Sequence, residues 1–172
     1  MKNAPLPHDE SQRLEALYAL EILDTPKEER FDRLTRIAQS CFNVPMVLVT
    51  LVDKNRQWFK SCQGLDLCET NRDVSICAHT ILSPDIFLVS DTLEDPRFAD
   101  NPLVSAPPHI RFYAGAPIHA SSGERVGVLC IIDTIPRMMS SKDLQILRDL
   151  ADCVEHELLH EHPAPTSTRS TQ

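Results

Sequence analysis

The sequence predicts an α+β domain built on one mainly antiparallel sheet. Three observations lead there. Apolar, β-branched runs of strand length are joined by tight turns, which pairs neighbours antiparallel. Helical periodicity is confined to the two ends of the chain and one short central stretch, so the long helices gather as a layer on one sheet face. A chain of 172 residues, 42% hydrophobic and 24% charged, suits one domain with a sizeable core.

Each element has its own signal. Residues 1–10 carry two prolines and are expected to be a flexible lead-in to a single domain over 11–162. Leu14, Leu17 and residues 20–22 give a first helix its apolar face. Thr25, Pro26 and Glu28 predict the start of a second helix, with an N-cap threonine, a first-turn proline and a capping-box glutamate. Phe31, Leu34, Ile37, Ala38, Cys41 and Phe42 recur at helical spacing, and Asn43-Val44-Pro45 ends the helix. The run MVLVTLV at 46–52 is a central strand, and residues 56–61 (RQWFKS) pair back on it as a hairpin. A polar segment follows over 63–73, then a short helix over 74–82 and a strand over 86–89. Residues 91–109 hold four prolines and predict a long loop over the sheet, of the kind that often carries function. Residues 111–119 and 125–133 form a second hairpin around Ser121-Ser122-Gly123-Glu124. Ser140 and Asp143 open the last helix as a capping box. The Pro-, Ser- and Thr-rich stretch 163–172 is expected to be disordered.

Composition narrows the function. The net charge of -8, without a basic stripe, argues against nucleic-acid or anionic-membrane binding. No apolar run approaches the ~20 residues of a membrane-spanning helix, and the first residues lack signal-peptide character, so a cytoplasmic protein is expected. The six cysteines are irregularly spaced with no C-x-x-C, and the four glycines form neither G-x-G-x-x-G nor a P-loop. Reduced, mostly buried thiols are expected.

One motif suggests a metallopeptidase. His156-Glu157-Leu158-Leu159-His160 matches H-E-x-x-H, in which two histidines one helical turn apart share zinc and the glutamate activates water. The helix around it argues otherwise. Leu144, Leu147, Ala151, Val154 and Leu158 form a 3-4-3-4 seam facing the core or a dimer partner. His156 and His160 lie about 200° around the helix from that seam. Only His162 remains as a third ligand beyond them. A solvated helix face is the expectation, with adventitious metal binding by His156, His160 and His162 left open and no metal or cofactor assigned.

Several stretches together resemble the GAF domain, the small-molecule sensor module of bacterial signalling proteins, as found ahead of diguanylate cyclases and histidine kinases. They are ALEILDTP at 19–26, FDRLTRIA at 31–38, DKNRQWF at 53–59, RDVSICAHTIL at 72–82, VSDTLEDPRFADNPLV at 89–104, IRFYAGAPI at 110–117 and GVLCIIDTI at 127–135. The resemblance covers about 11–160. It implies a PAS-like fold, with a five- or six-stranded antiparallel sheet, terminal helices on one face, and loops with short helices on the other. It also implies a ligand pocket under those loops and a homodimer formed through the terminal helices. The chain ends at Gln172 without an output domain, which leaves a free-standing module acting on a signalling partner in trans, or a piece of a longer protein.

Within that frame the ligand-binding candidates are Trp58, Phe59, Cys77, His79, Asp91, Arg111 and Tyr113. Trp58 and Phe59 point to opposite faces of their strand, and core packing and pocket lining weigh evenly for them. Cys77 and His79 do not face each other on a helix, so a catalytic pair is disfavoured against an inward-packed thiol and a locally paired histidine. Arg111 could hold an anionic ligand, but a salt bridge to Asp73, Asp91 or Asp95 is the stronger expectation. A stand-alone branch of the family reduces free methionine-(R)-sulfoxide with pocket cysteines, and Cys62, Cys68 and Cys77 fall in the right region. The glycine-rich sequence of that branch is absent around Cys77. A bilin attached to Cys77 fits less well still. The expected function is a non-catalytic sensor of an unidentified small molecule or partner, with the reductase and an unliganded dimerisation scaffold as alternatives.

Overall fold

A computed structural model describes residues 2–160; the expected tail and His162 lie outside them. Two helices, α1 (Glu10–Ala19) and α2 (Glu29–Phe42), lead into β1 (Met46–Val52) and β2 (Arg56–Gln63). The short β3 (Glu69–Asn71) follows, then α3 (Cys77–Thr80), β4 (Phe87–Val89), α4 (Pro102–Ser105), β5 (Phe112–His119), β6 (Arg125–Asp133) and α5 (Ser141–Leu159). The strands form one six-stranded sheet, in the order β3-β2-β1-β6-β5-β4, with every pair antiparallel. This is the α+β architecture that the sequence predicts.

Alternation along the central strands divides the interior in two. Val47, Val49 and Leu51 of β1, with Phe112, Ala114, Ala116 and Ile118 of β5, face α1, α2 and α5. There they meet Leu17, Phe31, Ala38 and the α5 seam Leu147, Ala151, Val154 and Leu158. Met46, Leu48 and Val52 of β1, Tyr113 of β5, and Val128, Cys130 and Ile132 of β6 face the loops. β1 is buried along its whole length, as its apolar run, broken only by Thr50, requires.

The β2 register shifts between its pairings with Val49 and Thr50, so Lys60 is an extra residue of a β-bulge. Its side chain is only 1% exposed. The Lys60 ammonium donates to Thr25 Oγ1 at 2.8 Å and Pro26 O at 2.5 Å, and lies 2.7 Å from Glu28 Oε2. This corrects the expected start of α2. Thr25 does not cap the helix; its hydroxyl bonds Ile22 O, and the helix begins at Glu29 after an extended Glu28. A buried ammonium without acceptors costs more than an uncapped helix end, so the would-be capping residues serve Lys60 instead. At the other end Asn43 takes the left-handed conformation and stops the helix. The capping box Ser140–Asp143 of α5 is present in full.

Two further differences arise in the polar segments. Residues 69–71 pair with β2 as an edge strand, although their composition predicts loop. The central helix is shorter than expected, running only from Cys77 to Thr80 after a 3₁₀ turn at 72–74.

Candidate functional site

The loop-facing side of the sheet is roofed by α3, α4 and the segment between β4 and β5. That segment is fastened at several points. Thr92 Oγ1 donates to Ile110 O at 2.6 Å, Asn101 Nδ2 to Val74 O at 3.0 Å, and Ile110 N to Leu103 O at 2.9 Å. Arg111 belongs to this fastening. It donates to the carbonyls of Val104 (2.8 Å) and Ile110 (3.1 Å), in place of the expected carboxylate salt bridge. Of its expected partners, Asp91 caps the turn after β4 through Leu93 N, and Asp95 pairs with Arg97.

Beneath this roof lies a cavity of about 30 Å³, room for one or two water molecules. Its walls are largely apolar, with Leu48, Phe59, Leu103 and Ile132 among them, and Gln57 and Thr70 supply polar groups. Thr70 Oγ1 is buried with no hydrogen-bond partner among the described residues. A wider cleft of about 680 Å³ runs between residues 3–6, α1 and the β1–β2 turn; Glu10 and Arg72 in its wall are bonded to each other, and Glu10 also bonds Arg13.

A polar cluster sits at the back of the small cavity. The Tyr113 hydroxyl donates to Cys77 Sγ at 3.1 Å and shares a 2.7 Å bond with Thr80 Oγ1. Cys77 Sγ is 3.9 Å from Cys130 Sγ on β6. Burial works against ionising Cys77, but hydrogen bonds from Cys130 and Tyr113 outweigh it and hold its thiol below the usual value. Burial, and then the hydrogen bond with Cys77 and its charge, push the Cys130 thiol well up; burial, and then a charge on Cys77, do the same to the Tyr113 phenol. Of these two sulfurs, Cys77 is the one that its surroundings favour as a thiolate.

The cavity thus brings together Phe59, Cys77 and Tyr113. Trp58 points to the opposite face and packs in the helix-side core. His79 lies in a neighbouring aromatic cluster, 4.9 Å edge-on to Phe98 and 6.2 Å from Phe87, with Arg97 over both phenyl rings. Burial and the Arg97 charge lower its pKa. Cys130 was not among the sequence candidates. Its signal was present in the alternation of β6, which puts it on the same face as Val128 and Ile132.

His156 and His160 of the H-E-x-x-H stretch are exposed at the end of α5, while Leu158 between them is buried in the core. The two imidazole centroids are 3.9 Å apart, and the His160 ring contacts His156 O through Nδ1. The Glu157 carboxylate lies 3.8 Å from Arg30 rather than between the rings. Among the described residues no group of three histidine, cysteine or acidic side chains could hold a metal.

Residues 26–158 match the family profile of the GAF domain. The chain belongs to the GAF family. Over 155 residues it is 40% identical to a cyclic di-GMP phosphodiesterase of Pseudomonas aeruginosa. That alignment covers 90% of this chain and 26% of the relative, so the chain spans about a quarter of that protein. Among solved structures, the GAF domain of an Acinetobacter phosphoenolpyruvate-protein phosphotransferase superposes with a TM-score of 0.62 at 16% identity, over 86% of this chain and 92% of its own. A free methionine-R-sulfoxide reductase from Neisseria meningitidis gives 0.62 at 17% identity, over 86% and 89%. The GAF domain of Thermosynechococcus elongatus PixJ gives 0.62 at 14%, over 84% and 88%. At such identities the likeness concerns the fold alone. No described helix is long and apolar enough to cross a membrane.

Proposed function

We propose that this GAF domain is a non-catalytic regulatory module, cytoplasmic and homodimeric through its terminal helices, which converts a change under the loop roof into a change in helix packing. One observation carries the reading. The central strands serve both cores on alternate residues: Cys130 and Ile132 line the cavity, while Leu129 and Ile131, which alternate with them, pack towards the helices. A side chain displaced on one face therefore presses on the other through a close-packed sheet. The kinship with about a quarter of a cyclic di-GMP phosphodiesterase supports a regulatory role.

The ligand suggested by the lining is small and mainly apolar, with one group able to hydrogen-bond Gln57 or Thr70. It enters as side chains give way, and it shifts the helices only through its differential affinity for the two packings. Reduction of methionine sulfoxide has less support. Cys62 Sγ is engaged with Leu65 O at 3.2 Å, and Cys68 is exposed and does not line the cavity.

Native mass spectrometry of the purified chain tests assembly and occupancy. A dimer is expected, with or without a small non-protein mass; a monomer counts against the reading. Hydrogen exchange on Tyr113→Phe then tests transmission. Altered protection is expected in α5 as well as α3, and a change confined to α3 would remove the basis for transmission.

A further inference from the structure

Cys77 and Cys130 are 53 positions apart in the chain, yet their sulfurs meet at 3.9 Å, with both residues at most 1% exposed. We propose that they form an oxidisable dithiol, which a small hydroperoxide entering the cavity converts to an intramolecular disulfide. This goes beyond the regulatory reading and does not depend on it.

Three features support it. The first is reach. A disulfide holds its sulfurs at about 2.05 Å, so closure needs roughly 2 Å of approach. Cys77 rides on a four-residue helix, a unit small enough to move by that amount against the rigid β6. The second is size. Both cysteines line a cavity that holds one or two waters, which suits hydrogen peroxide and excludes bulkier oxidants such as glutathione disulfide. The third is activation. Only Cys77 receives the Tyr113 hydroxyl, so the two sulfurs are unequal: Cys77 is the attacking group and Cys130 the resolving one.

The chemistry balances with peroxide as oxidant. The Cys77 thiolate attacks one peroxide oxygen and the O–O bond breaks. Hydroxide leaves and takes up the proton released by the thiol, giving water and a Cys77 sulfenic acid. Cys130 sulfur then attacks Cys77 sulfur. The S–O bond breaks, and the departing hydroxide takes the Cys130 proton as a second water. Two thiols and one peroxide become one disulfide and two waters. Competing pairs are poorly placed. Cys62 and Cys130 both pair with Leu48, on opposite sides of β1, so a whole strand separates them. Cys41, Cys68 and Cys153 are exposed.

Peptide mapping tests the proposal. The reduced native chain is treated with a small excess of hydrogen peroxide, its remaining thiols are alkylated after denaturation, and the digest is analysed by mass spectrometry. A linked pair of peptides containing Cys77 and Cys130, with a loss of about 2 Da reversed by dithiothreitol, is expected. Cys130→Ser should abolish the link and leave a Cys77 sulfenic acid that dimedone labels when added with the denaturant, and Tyr113→Phe should slow closure about fivefold. Full alkylation of both thiols after peroxide, or oxidation confined to Cys41, Cys68 and Cys153, would overturn the proposal. Mapping of the unmutated chain decides this even if a variant fails to fold.

Discussion

The Tyr113 phenol lies across the α-carbon of Gly115, two residues further along the same strand. A Cβ at position 115 would collide with the phenol oxygen, its attached ring carbon and the Val128 side chain. Glycine is thus required on β5 by a side chain of its own strand. Gly115→Ala should expel the phenol from its bonds to Thr80 and Cys77 and cost about 1–3 kcal/mol, the usual range for overpacking. Urea unfolding would measure it. In a Tyr113→Ala background the added methyl enters vacated space, so the two substitutions should together cost less than their sum. Additive costs would place the strain elsewhere.

Glu10 predicts an acid-sensitive joint between α1 and the sheet. Burial raises the pKa of its carboxyl, but hydrogen bonds from Arg13 and Arg72, and then their charges, prevail and bring it from 4.5 to about 2. Arg13 is fully buried and also donates to Val52 O at 2.7 Å. A folded-state pKa below the unfolded one means that the stabilisation is complete above the unfolded value of about 4.5. It is lost as pH falls from there towards 2. Glu10→Gln should lower stability near neutrality by about 2 kcal/mol, as for other charge-assisted hydrogen bonds. It should also flatten the stability loss between pH 4.5 and 2, which unfolding curves across that range would show. Equal acid sensitivity of the two proteins would move the effect to another carboxylate.

Strong periodic signals made much of this fold legible in the sequence, and side-chain competition concealed the rest. The alternation in β1, β5 and β6 assigns both faces, and the α5 seam names its buried residues. The segment Glu69–Asn71 was illegible because an edge strand held by backbone bonds needs no apolar pattern. Thr25 misled because the acceptor need of Lys60, set by a bulge far along the chain, overrode local capping. Arg111 misled for a related reason, since the loop carbonyls it reaches carry no side-chain signature. Of the site, Phe59, Cys77 and Tyr113 could be read from motif and strand parity. Their meeting with Cys130 depends on pairing β5 with β6 and seating α3 over both.

Lys60 carries a prediction for the helix layer. Its ammonium is 5.6 Å from the centre of the Phe31 ring and 6.0 Å from that of Trp58, besides its three oxygen partners. Lys60→Met keeps the apolar stem and removes the charge, leaving Pro26 O and the Thr25 hydroxyl without their donor. A loss of about 1–3 kcal/mol is expected. Trp58, the only tryptophan, should report both the unfolding and a shifted native emission. A neutral or stabilising outcome would mean that desolvating the ammonium offsets all its contacts.

The H-E-x-x-H stretch yields a prediction opposite to its motif. Two imidazoles one turn apart can share a zinc ion, but catalysis also needs a third ligand and a glutamate beside the bound water. Here Glu157 lies against Arg30, and no third ligand stands near among the described residues. Both histidines are exposed, so His156→Ala and His160→Ala should each change stability by less than about 0.5 kcal/mol. Equimolar zinc should leave the melting temperature of the unmutated chain unchanged, because a ligand bound tightly to the folded state alone must raise it. Thermal denaturation with and without zinc measures this. A rise that vanishes in His156→Ala would make the end of α5 a metal site after all, with its remaining ligand beyond residue 160.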